Sequence, residues 1–370
     1  MTLLIKNARI ILENKITRGN VLVENGKIKK ISAGKMSAAK TIDLRGDFLS
    51  PAFIDTHIHG YKGYGVDDES AESILKMSLA LRECGVCAFC PTLYARKGEK
   101  LFSILKNLSS AAGKEKGAKI IGLHLEGPFI SPERLGAMNI NDLAPITKDL
   151  LEKMHKAANG KIAAITAAPE LDNFSLLQKF CDEKKIVLQA GHTNATYEQM
   201  LCARQKGLKH ITHLFNAQSP IHQRAPGVAG AGLMADFSAE IIADNVHVHP
   251  ALLGFLSRIK NPRDIVLITD SLTPTGQNAK KFYANGERIE MRGGAWRRAG
   301  EETIVGSSLT MLNGVKNLVA AGSPLPNAVL TASTNPARLH GLKNIGKIEE
   351  GYDAKLVSFD KNFNLKKVLI

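Results

Sequence analysis

Long apolar runs, aromatic side chains and evenly paired cysteines are scarce in this 370-residue sequence. It holds no stretch of about 18 consecutive apolar residues, so we expect no membrane-spanning helix. Aromatic residues make up 5% of the chain, with a single Trp, and this argues against a nucleic-acid surface built on base stacking. The first residues lack the basic region, apolar segment and cleavage site of a secretory signal. We therefore expect a cytoplasmic protein with neither a membrane nor a nucleic acid as partner.

The five cysteines are odd in number, which suits a reduced compartment better than a disulfide framework. Three of them stand close together, at Cys84, Cys87 and Cys90. Their spacing partly matches an iron–sulfur ligand run, but no fourth cysteine stands nearby. We interpret them instead as structural, with Gly85 ending a helix and Cys87 and Cys90 serving as small apolar residues of a buried strand.

Positive charge is in excess, with 49 Lys plus Arg against 35 Asp plus Glu and a net charge of +14. The lysines are scattered rather than gathered into one basic tract, so we expect most of this charge to lie on a solvated surface. A non-catalytic protein that binds polyanions is a remote alternative. It predicts no turnover and an affinity for polyanions that falls steeply with salt.

The two ends of the chain share a β-rich pattern. Short apolar strand patterns fill residues 3–31, with a hairpin turn at Asn25-Gly26. The same pattern returns over residues 346–370. The sequence therefore predicts a small β-sandwich domain built from both ends, residues 1–48 plus 341–370.

The middle of the chain, residues 49–340, alternates short apolar runs with helical patterns. Helices are predicted over 71–83, 101–110, 171–184 and 197–206. Eight apolar runs predict buried strands, at 52–55, 86–90, 120–125, 162–166, 186–190, 210–213, 240–243 and 264–269. This alternation is typical of an α/β protein of the (β/α)₈ TIM-type barrel class.

Histidines and carboxylates stand at the carboxyl ends of five predicted barrel strands. Catalytic residues of such barrels lie at this end, on the loops that follow the strands, so we expect these side chains to meet at one mouth. The set comprises His57, His59, Glu126, His192, His213 and Asp270. Imidazole and carboxylate groups together are typical ligands of a divalent metal.

Individual members of this set have distinct expected roles. His57 and His59 alternate on one strand and so point to the same side. Glu126 follows a buried strand and needs a charged partner, which a metal would supply. Asp270 is expected to be the acid/base group, with the N-cap of a following helix as its alternative role. His124 lies deeper in the strand of Glu126, and we expect it to be structural.

Three segments carry a specific resemblance: LEGPF at 125–129, GHTNAT at 191–196 and THLFNA at 212–217. Further matching segments lie at 51–60, 168–170, 242–248, 269–270, 306–311 and 335–337. Together they resemble the amidohydrolase superfamily and, within it, the N-acetylglucosamine-6-phosphate deacetylase family, over nearly the whole chain. The resemblance implies a metal-dependent hydrolase that converts N-acetylglucosamine 6-phosphate to glucosamine 6-phosphate and acetate.

The resemblance also implies a cofactor, one or two divalent metal ions per chain, zinc or iron. Glu126, His192 and His213 match the metal ligands of the family. His57 and His59 would hold a second ion, with Glu126 bridging the two. In many enzymes of the superfamily a carboxylated Lys at the end of the fourth barrel strand bridges two metals. The fourth predicted barrel strand here, 162–166, has no Lys at its end, which agrees with Glu126 as the bridge.

Substrate contacts follow from the same resemblance. Asn216, the Ala217 N–H and Arg224 would bind the phosphate group, and family members can supply this arginine from a partner subunit, which implies a homodimer. His247 would be a second donor to the oxyanion of the reaction.

The chain departs from the family at Gly136-Ala137-Met138, where a His that touches the sugar usually follows Gly-Ala. Ala137 and Met138 remain expected substrate contacts, but Met cannot donate a directed hydrogen bond. A related acetamido sugar phosphate such as N-acetylgalactosamine 6-phosphate, or another amide such as an N-acyl amino acid, is therefore an alternative substrate.

Overall fold

The structure, a computed structural model, describes residues 2–369. Met1 and Ile370, which the predicted domain boundaries include, lie outside the described residues. The first five strands belong to one sheet and are β1 (Thr2–Ile11), β2 (Ile16–Glu24), β3 (Lys27–Ser32), β4 (Lys40–Asp43) and β5 (Phe48–Pro51).

The next strands, apart from the small β7–β8 hairpin, build a parallel barrel. They are β6 (Phe53–Ile58), β7 (Gly60–Tyr61), β8 (Tyr64–Gly65), β9 (Val86–Tyr94), β10 (Lys119–Ile120), β11 (Leu123–Glu126), β12 (Ile162–Ala167), β13 (Val187–Ala190), β14 (His210–Ile211), β15 (Ser238–Ile242) and β16 (Ile265–Ile268). The remaining strands are β17 (Lys281–Ala284), β18 (Glu287–Arg292), β19 (Ala295–Arg298), β20 (Ile304–Gly306), β21 (Leu356–Phe359) and β22 (Leu365–Leu369).

Ten α-helices occur among residues 2–369, most of them between barrel strands. They are α1 (Ala71–Glu83), α2 (Gly98–Ser109), α3 (Lys148–Ala157), α4 (Phe174–Lys184), α5 (Tyr197–Gln205), α6 (Gly227–Met234), α7 (Pro250–Ile259), α8 (Met311–Ala320), α9 (Leu325–Ala332) and α10 (Thr334–Leu339). Short 3₁₀ turns cover Val66–Asp68, Ile140–Asp142 and Pro262–Asp264. None of the described helices is long and apolar enough to cross a bilayer.

The barrel confirms the eight predicted strands. Its parallel strands follow one another in the order β6, β9, β11, β12, β13, β14, β15, β16. The short strand β10, which precedes β11 in the chain, also pairs with β9. At the carboxyl ends of β6 and β16, Asp270 N donates to His57 O at 2.9 Å and brings the first and last strands together. All nine residues of β9 are buried, as expected for a strand covered on both faces.

Local sequence signals explain where the predicted helices begin and end. The Ser70 side chain accepts a hydrogen bond from Glu72 N and caps α1, and Thr196 and Gln199 form a reciprocal capping box at α5. The four predicted helices are confirmed with ends shifted by at most about three residues, within the usual error of such boundaries.

Cys87 and Cys90 are buried in β9, and burial raises the pKa of the Cys87 thiol to about 12.

A seven-stranded sheet unites the two ends of the chain, and we refer to it as the chain-end sheet. Its strands lie in the order β22, β21, β5, β1, β2, β3, with β4 on the free part of β1. The predicted Asn25-Gly26 turn joins β2 to β3, and both residues have positive φ, 50° and 77°, the backbone of a tight hairpin turn. Residues 346–348, where a strand pattern was expected, form no strand.

The chain-end sheet has its own apolar core, separate from the core of the barrel. Residues from both ends of the chain contribute to it, among them Ile5, Ile10, Val21, Leu49 and Leu356. The two ends of the chain thus share one sheet and one apolar cluster.

An antiparallel sheet of four strands, β17–β20, stands between β16 and α8. We call it the inserted sheet. Its Trp296 is 1% exposed, so this sheet packs firmly against the protein rather than projecting into solvent. The sequence analysis did not predict it, although Asn285-Gly286 and Gly293-Gly294 are strong hairpin signals.

Candidate metal centre

The barrel brings the six predicted histidines and carboxylates to one mouth. His57 lies in β6 and His59 directly after it; Glu126 ends β11. His192 and His213 follow β13 and β14, and Asp270 follows β16. The six side chains therefore project from the carboxyl ends of five barrel strands, the end at which such barrels carry their chemistry.

Four imidazoles surround the Glu126 carboxylate. His213 Nε2 and His192 Nε2 lie 2.9 and 3.0 Å from Glu126 Oε1. His57 Nε2 lies 3.4 Å from Oε1, and His59 Nε2 lies 3.5 Å from Oε2. All five residues are buried, so the carboxylate is held at the centre of a nitrogen-rich cluster with little water.

Asp270 joins the cluster through the two histidines at the end of β6. Its Oδ1 lies 3.1 Å from His59 Nε2 and 3.5 Å from His57 Nε2. Two groups of donor atoms result, each within 4.8 Å of one another: His57, His59 and Asp270, and His57, Glu126 and His213. The two groups share His57.

The donor set fits a divalent metal. Among residues 2–369, neither His57 Nε2 nor His213 Nδ1 has a hydrogen-bond partner, although both atoms are buried. A buried polar atom without a partner costs about 1–3 kcal/mol, and a cation accepting the His57 Nε2 lone pair would remove that cost. Imidazole nitrogens mixed with carboxylate oxygens suit zinc or iron.

The electrostatics of the cluster keep both carboxylates ionised. Burial alone would raise the pKa of Glu126, but the imidazoles of His57, His192 and His213 hold that pKa well below its usual range. Burial opposes ionisation of Asp270 as well, and its hydrogen bond from His59 and the charge of His57 lower the Asp270 pKa. Negative charge is thus fixed where a cation would be held.

Hydrogen bonds to the other ring nitrogens orient these histidines. Thr92 O lies 2.9 Å from His59 Nδ1, and Arg134 O lies 3.0 Å from His192 Nδ1. Glu240 Oε2 lies 3.3 Å from His57 Nδ1. Such partners place the proton on Nδ1 and leave the Nε2 lone pair for a metal.

The backbone at the mouth adopts left-handed conformations at four predicted site residues. The φ angles of His192, His213, Ala217 and Asp270 are 47°, 27°, 48° and 50°. Such conformations are uncommon for residues other than glycine and cluster at functional sites. The hydrogen bond from Thr193 N to Ala217 O, at 3.1 Å, helps to hold one of these turns.

A cavity of about 330 Å³ opens onto the cluster. It is lined by all six predicted groups except His57, by the predicted substrate contacts Ala137, Met138, Asn216, Ala217 and His247, and by Tyr94, Gly136 and residues 302–305. Arg224 does not line it and lies in an exposed segment. The predicted residues thus line one cavity, except for His57, which lies behind it in contact with Glu126, and Arg224.

Comparison with known proteins agrees with this geometry. A sequence model described as the amidohydrolase family matches residues 48–370. An N-acetylglucosamine-6-phosphate deacetylase from Bacillus subtilis (strain 168) is 36% identical over 374 residues, which cover 96% of this chain and 92% of the relative. The chain belongs to the N-acetylglucosamine-6-phosphate deacetylase branch of the amidohydrolase family.

Two further relatives of this amidohydrolase differ in their named substrate. A solved variant of N-acetyl-D-glucosamine-6-phosphate deacetylase from Mycobacterium smegmatis, in complex with N-acetyl-D-glucosamine-6-phosphate, superposes with a TM-score of 0.91 at 28% identity, over 100% of this chain and 97% of that one. An N-acetylgalactosamine-6-phosphate deacetylase from Escherichia coli O157:H7 is 28% identical over 351 residues, 92% of each chain.

Sequence reasoning missed three parts of the amidohydrolase site. The Tyr94 ring stacks on His59, with centroids 4.0 Å apart and an interplanar angle of 4°. Asp244 Oδ2 lies 2.7 Å from His247 Nδ1 and orients that ring. The inserted sheet and the turn before β20 supply residues 302–305 to the cavity wall.

Glu240 is the most informative omission. It is fully buried in β15, and its two oxygens face His57 and, at 3.8 Å, His210 Nε2. A carboxylate inside an apolar strand run needs a partner, and this isolated Glu within 239–242 was the signal in the sequence.

The structure also bears on the expected structural role of His124 and on the alternative role of Asp270. His124 Nε2 lies 2.8 Å from Thr166 Oγ1, and its ring packs edge-on against His57 with centroids 4.6 Å apart, which agrees with a structural role. Burial and the nearby His57 lower the His124 pKa to about 3. The alternative role of Asp270 as a helix cap is wrong, because no helix begins within residues 271–280.

Proposed function

We propose that this chain deacetylates N-acetylglucosamine 6-phosphate, hydrolysing the acetamide to give glucosamine 6-phosphate and acetate. The single observation that carries the proposal is the meeting of His59, Glu126, His192, His213 and Asp270 in one cavity of a chain with N-acetylglucosamine-6-phosphate deacetylases among its relatives. Buried imidazoles and ionised carboxylates beside a solvent-open cavity suit metal-assisted hydrolysis of an amide.

Glu126, His192 and His213 are the proposed ligands of one divalent metal, zinc or iron. His57 and His59 would hold a second ion next to it, with Glu126 shared between the two. A metal bound there polarises the acetamide carbonyl and lowers the pKa of water toward neutrality. The positions of His57 Nε2 and His59 Nε2, 3.4 and 3.5 Å from the two Glu126 oxygens, support a capacity for two ions.

Asp270 has the proposed role of general base and acid. It is ionised, lines the cavity and lies next to the metal ligand His59. A carboxylate in that position can accept the proton of the attacking water and deliver a proton to the departing amine nitrogen.

His247 has the proposed role of donor to the developing oxyanion. Asp244 engages its Nδ1 and, against the effect of burial, raises the pKa of the ring. The ring thus favours its charged form, with Nε2 as the remaining donor. A donor fixed in advance at this position stabilises negative charge as it develops.

Asn216 and the Ala217 N–H are the proposed phosphate contacts, and Ala137 and Met138 the proposed sugar contacts. All four line the cavity. Since Arg224 is exposed and outside the cavity, its proposed route to the phosphate is from a second copy in a homodimer. We place this enzyme in the cytoplasm.

The proposed domain division follows the sequence analysis. Residues 1–48 and 341–370 would form a small β-sandwich domain, and 49–340 the catalytic barrel. The separate apolar core under the chain-end sheet supports this division.

N-acetylgalactosamine 6-phosphate is the second candidate substrate. Met138 lies in the cavity wall, 6% exposed, where it offers the sugar no directed hydrogen bond. The N-acetylgalactosamine-6-phosphate deacetylase relative supports this candidate.

Acetate release by the metal-reconstituted protein tests the proposal. The substrates compared are N-acetylglucosamine 6-phosphate, its galactose-configured epimer and unphosphorylated N-acetylglucosamine. The highest kcat/KM is expected for the first and a sharp loss for the third. Preference for the epimer would support the second candidate, and no acetate from any of them would contradict the proposal.

Metal content of a double variant tests the number of ions. His57→Ala combined with His59→Ala should lower the bound metal toward one ion per chain, measured by elemental analysis. If the unsubstituted protein already binds one, the second-ion proposal fails.

A further inference from the structure

A second cavity, of about 530 Å³, lies in the chain-end sheet, and three arginines line it. Arg9 comes from β1, Arg18 from β2, and Arg45 from the turn between β4 and β5. No Asp or Glu lines this cavity, and it shares no lining residue with the cavity at the barrel mouth. We call it the arginine pocket.

Two of the arginines in this pocket are placed so that they destabilise the sheet that carries them. Arg9 and Arg18 are directly opposite one another in the antiparallel pair β1–β2, an arrangement in which like charges destabilise the pairing. Within residues 2–369, the exposed Arg18 and Arg45 guanidinium groups make no hydrogen bond or ion pair. The nearby Asp43 carboxylate accepts hydrogen bonds from Asn7 Nδ2 and the Arg45 backbone N and pairs with Lys6. The positive charge is therefore not neutralised by the protein.

Arg9 is held in place for a ligand. Its Nε donates to Gly46 O at 2.5 Å, and its guanidinium carbon lies 3.9 Å from the centroid of the Phe48 ring. These contacts leave the two Nη groups for other partners. A guanidinium fixed in advance loses less conformational entropy when it binds an anion.

The backbone around the pocket departs from regular strand geometry and is held by hydrogen bonds. Asn7 and Arg45 have left-handed φ angles of 56° and 50°, and β1 is irregular between Ile5 and Ala8. Asn7 N donates to Asn20 Oδ1 at 3.0 Å, and Gly46 N donates to Asn7 O at 2.7 Å. The walls from β1, β2 and the 44–47 turn are thereby fixed relative to one another.

We propose that the arginine pocket binds the phosphate group of a small phosphorylated metabolite. Guanidinium groups match phosphate oxygens with paired, charge-assisted hydrogen bonds. The volume lies in the range of small-molecule sites and leaves room for an organic part beside the phosphate. This inference does not rest on the deacetylase activity, because the pocket is separate from the barrel mouth.

Calorimetric titration with inorganic phosphate tests the proposal, on the full-length, metal-loaded protein at constant ionic strength. The variant carries Arg18→Gln and Arg45→Gln. The matched control combines Arg258→Gln with Lys316→Gln, two exposed positions in α7 and α8 outside both cavities. The double variant should lose one bound phosphate per chain or bind it at least roughly tenfold more weakly, while the control should match the unsubstituted protein.

Phosphate bound at the barrel mouth is unaffected in this design, since both variants keep that site. In phosphate-free buffer the double variant should also retain its kcat/KM for acetate release. Equal loss in the control would indicate diffuse surface attraction, and an unchanged double variant or no saturable binding at all would overturn the proposal.

Thermal unfolding separates loss of the pocket from loss of the fold. Without phosphate, the double variant should have a higher Tm than the unsubstituted protein, because the like-charge pair is gone. Added phosphate should raise the Tm of the unsubstituted protein more than that of the double variant. A lower Tm in the double variant would contradict the like-charge argument and with it the proposal.

Discussion

At the scale of single residues, Asp270 combines an ionised carboxylate, a strained backbone and a place in the cavity wall. The first prediction is that Asp270→Asn lowers kcat by roughly 10²–10⁴, because an amide cannot transfer the proton. Bound metal should stay near its original level, since Glu126, His192 and His213 remain.

Acetate release and elemental analysis on the same preparation check this prediction. Asp172→Asn, at an exposed position, is the control and should leave both quantities unchanged. Retained turnover in Asp270→Asn would remove the residue from the acid/base role.

The second prediction concerns Glu240, which faces His57 Nδ1 at 3.3 Å. Glu240→Gln keeps the volume but replaces the carboxylate that fixes the His57 proton. Loss of such a partner typically weakens metal affinity about 10–100-fold. Competition with a metal indicator measures that affinity, and excess metal should restore most of the turnover. If affinity is unchanged, Glu240 has no role in holding the metal site.

At the scale of elements, the small β7–β8 hairpin directly follows His59 and packs against Thr273, whose O accepts a hydrogen bond from Gly63 N at 2.8 Å. Gly60 begins this hairpin, and a Cβ there would lie 2.5 Å from the Thr273 Cα and 2.6 Å from its backbone N. The third prediction is that Gly60→Ala forces these segments apart and lowers the free energy of unfolding by about 1–3 kcal/mol.

Denaturant unfolding measures the change in Gly60→Ala. Gly34→Ala is the matched control, because its new Cβ would meet only the Ser32 hydroxyl, at 3.3 Å. Equal stability of the two variants would contradict the close-packing argument.

Barrel strands and site histidines were predictable because each carries a local signal. Strands buried on both faces read as continuous apolar runs, as in β9 and β16. The sequence motifs at Glu126, His192 and His213 then mark strand ends. Glu240 and the inserted sheet were harder, since the His57–Glu240 contact joins residues 183 positions apart and hairpin turns do not reveal which surface a sheet covers.

At the scale of the whole molecule, the mouth of the barrel is a cluster of buried charges contributed by strands from across the barrel. The fourth prediction is that dialysis against a chelator abolishes turnover and lowers the Tm, because a ligand bound only by the folded state stabilises it by mass action, about 2.7 kcal/mol at a hundredfold excess over Kd.

Differential scanning calorimetry with and without the chelator measures this shift. Returning zinc or iron should restore both Tm and turnover. Recovery of neither, with the protein still folded, would contradict a metal held by these residues.

The chain-end sheet has a consequence for biosynthesis. Strand β5, which leads through Ala52 into the first barrel strand, pairs with β21, and the two partners Pro51 and Leu356 are about 300 residues apart. At ordinary rates of translation that interval lasts on the order of tens of seconds. The edge of β5 that pairs with β21 therefore stays unpaired during synthesis until β21 has been made.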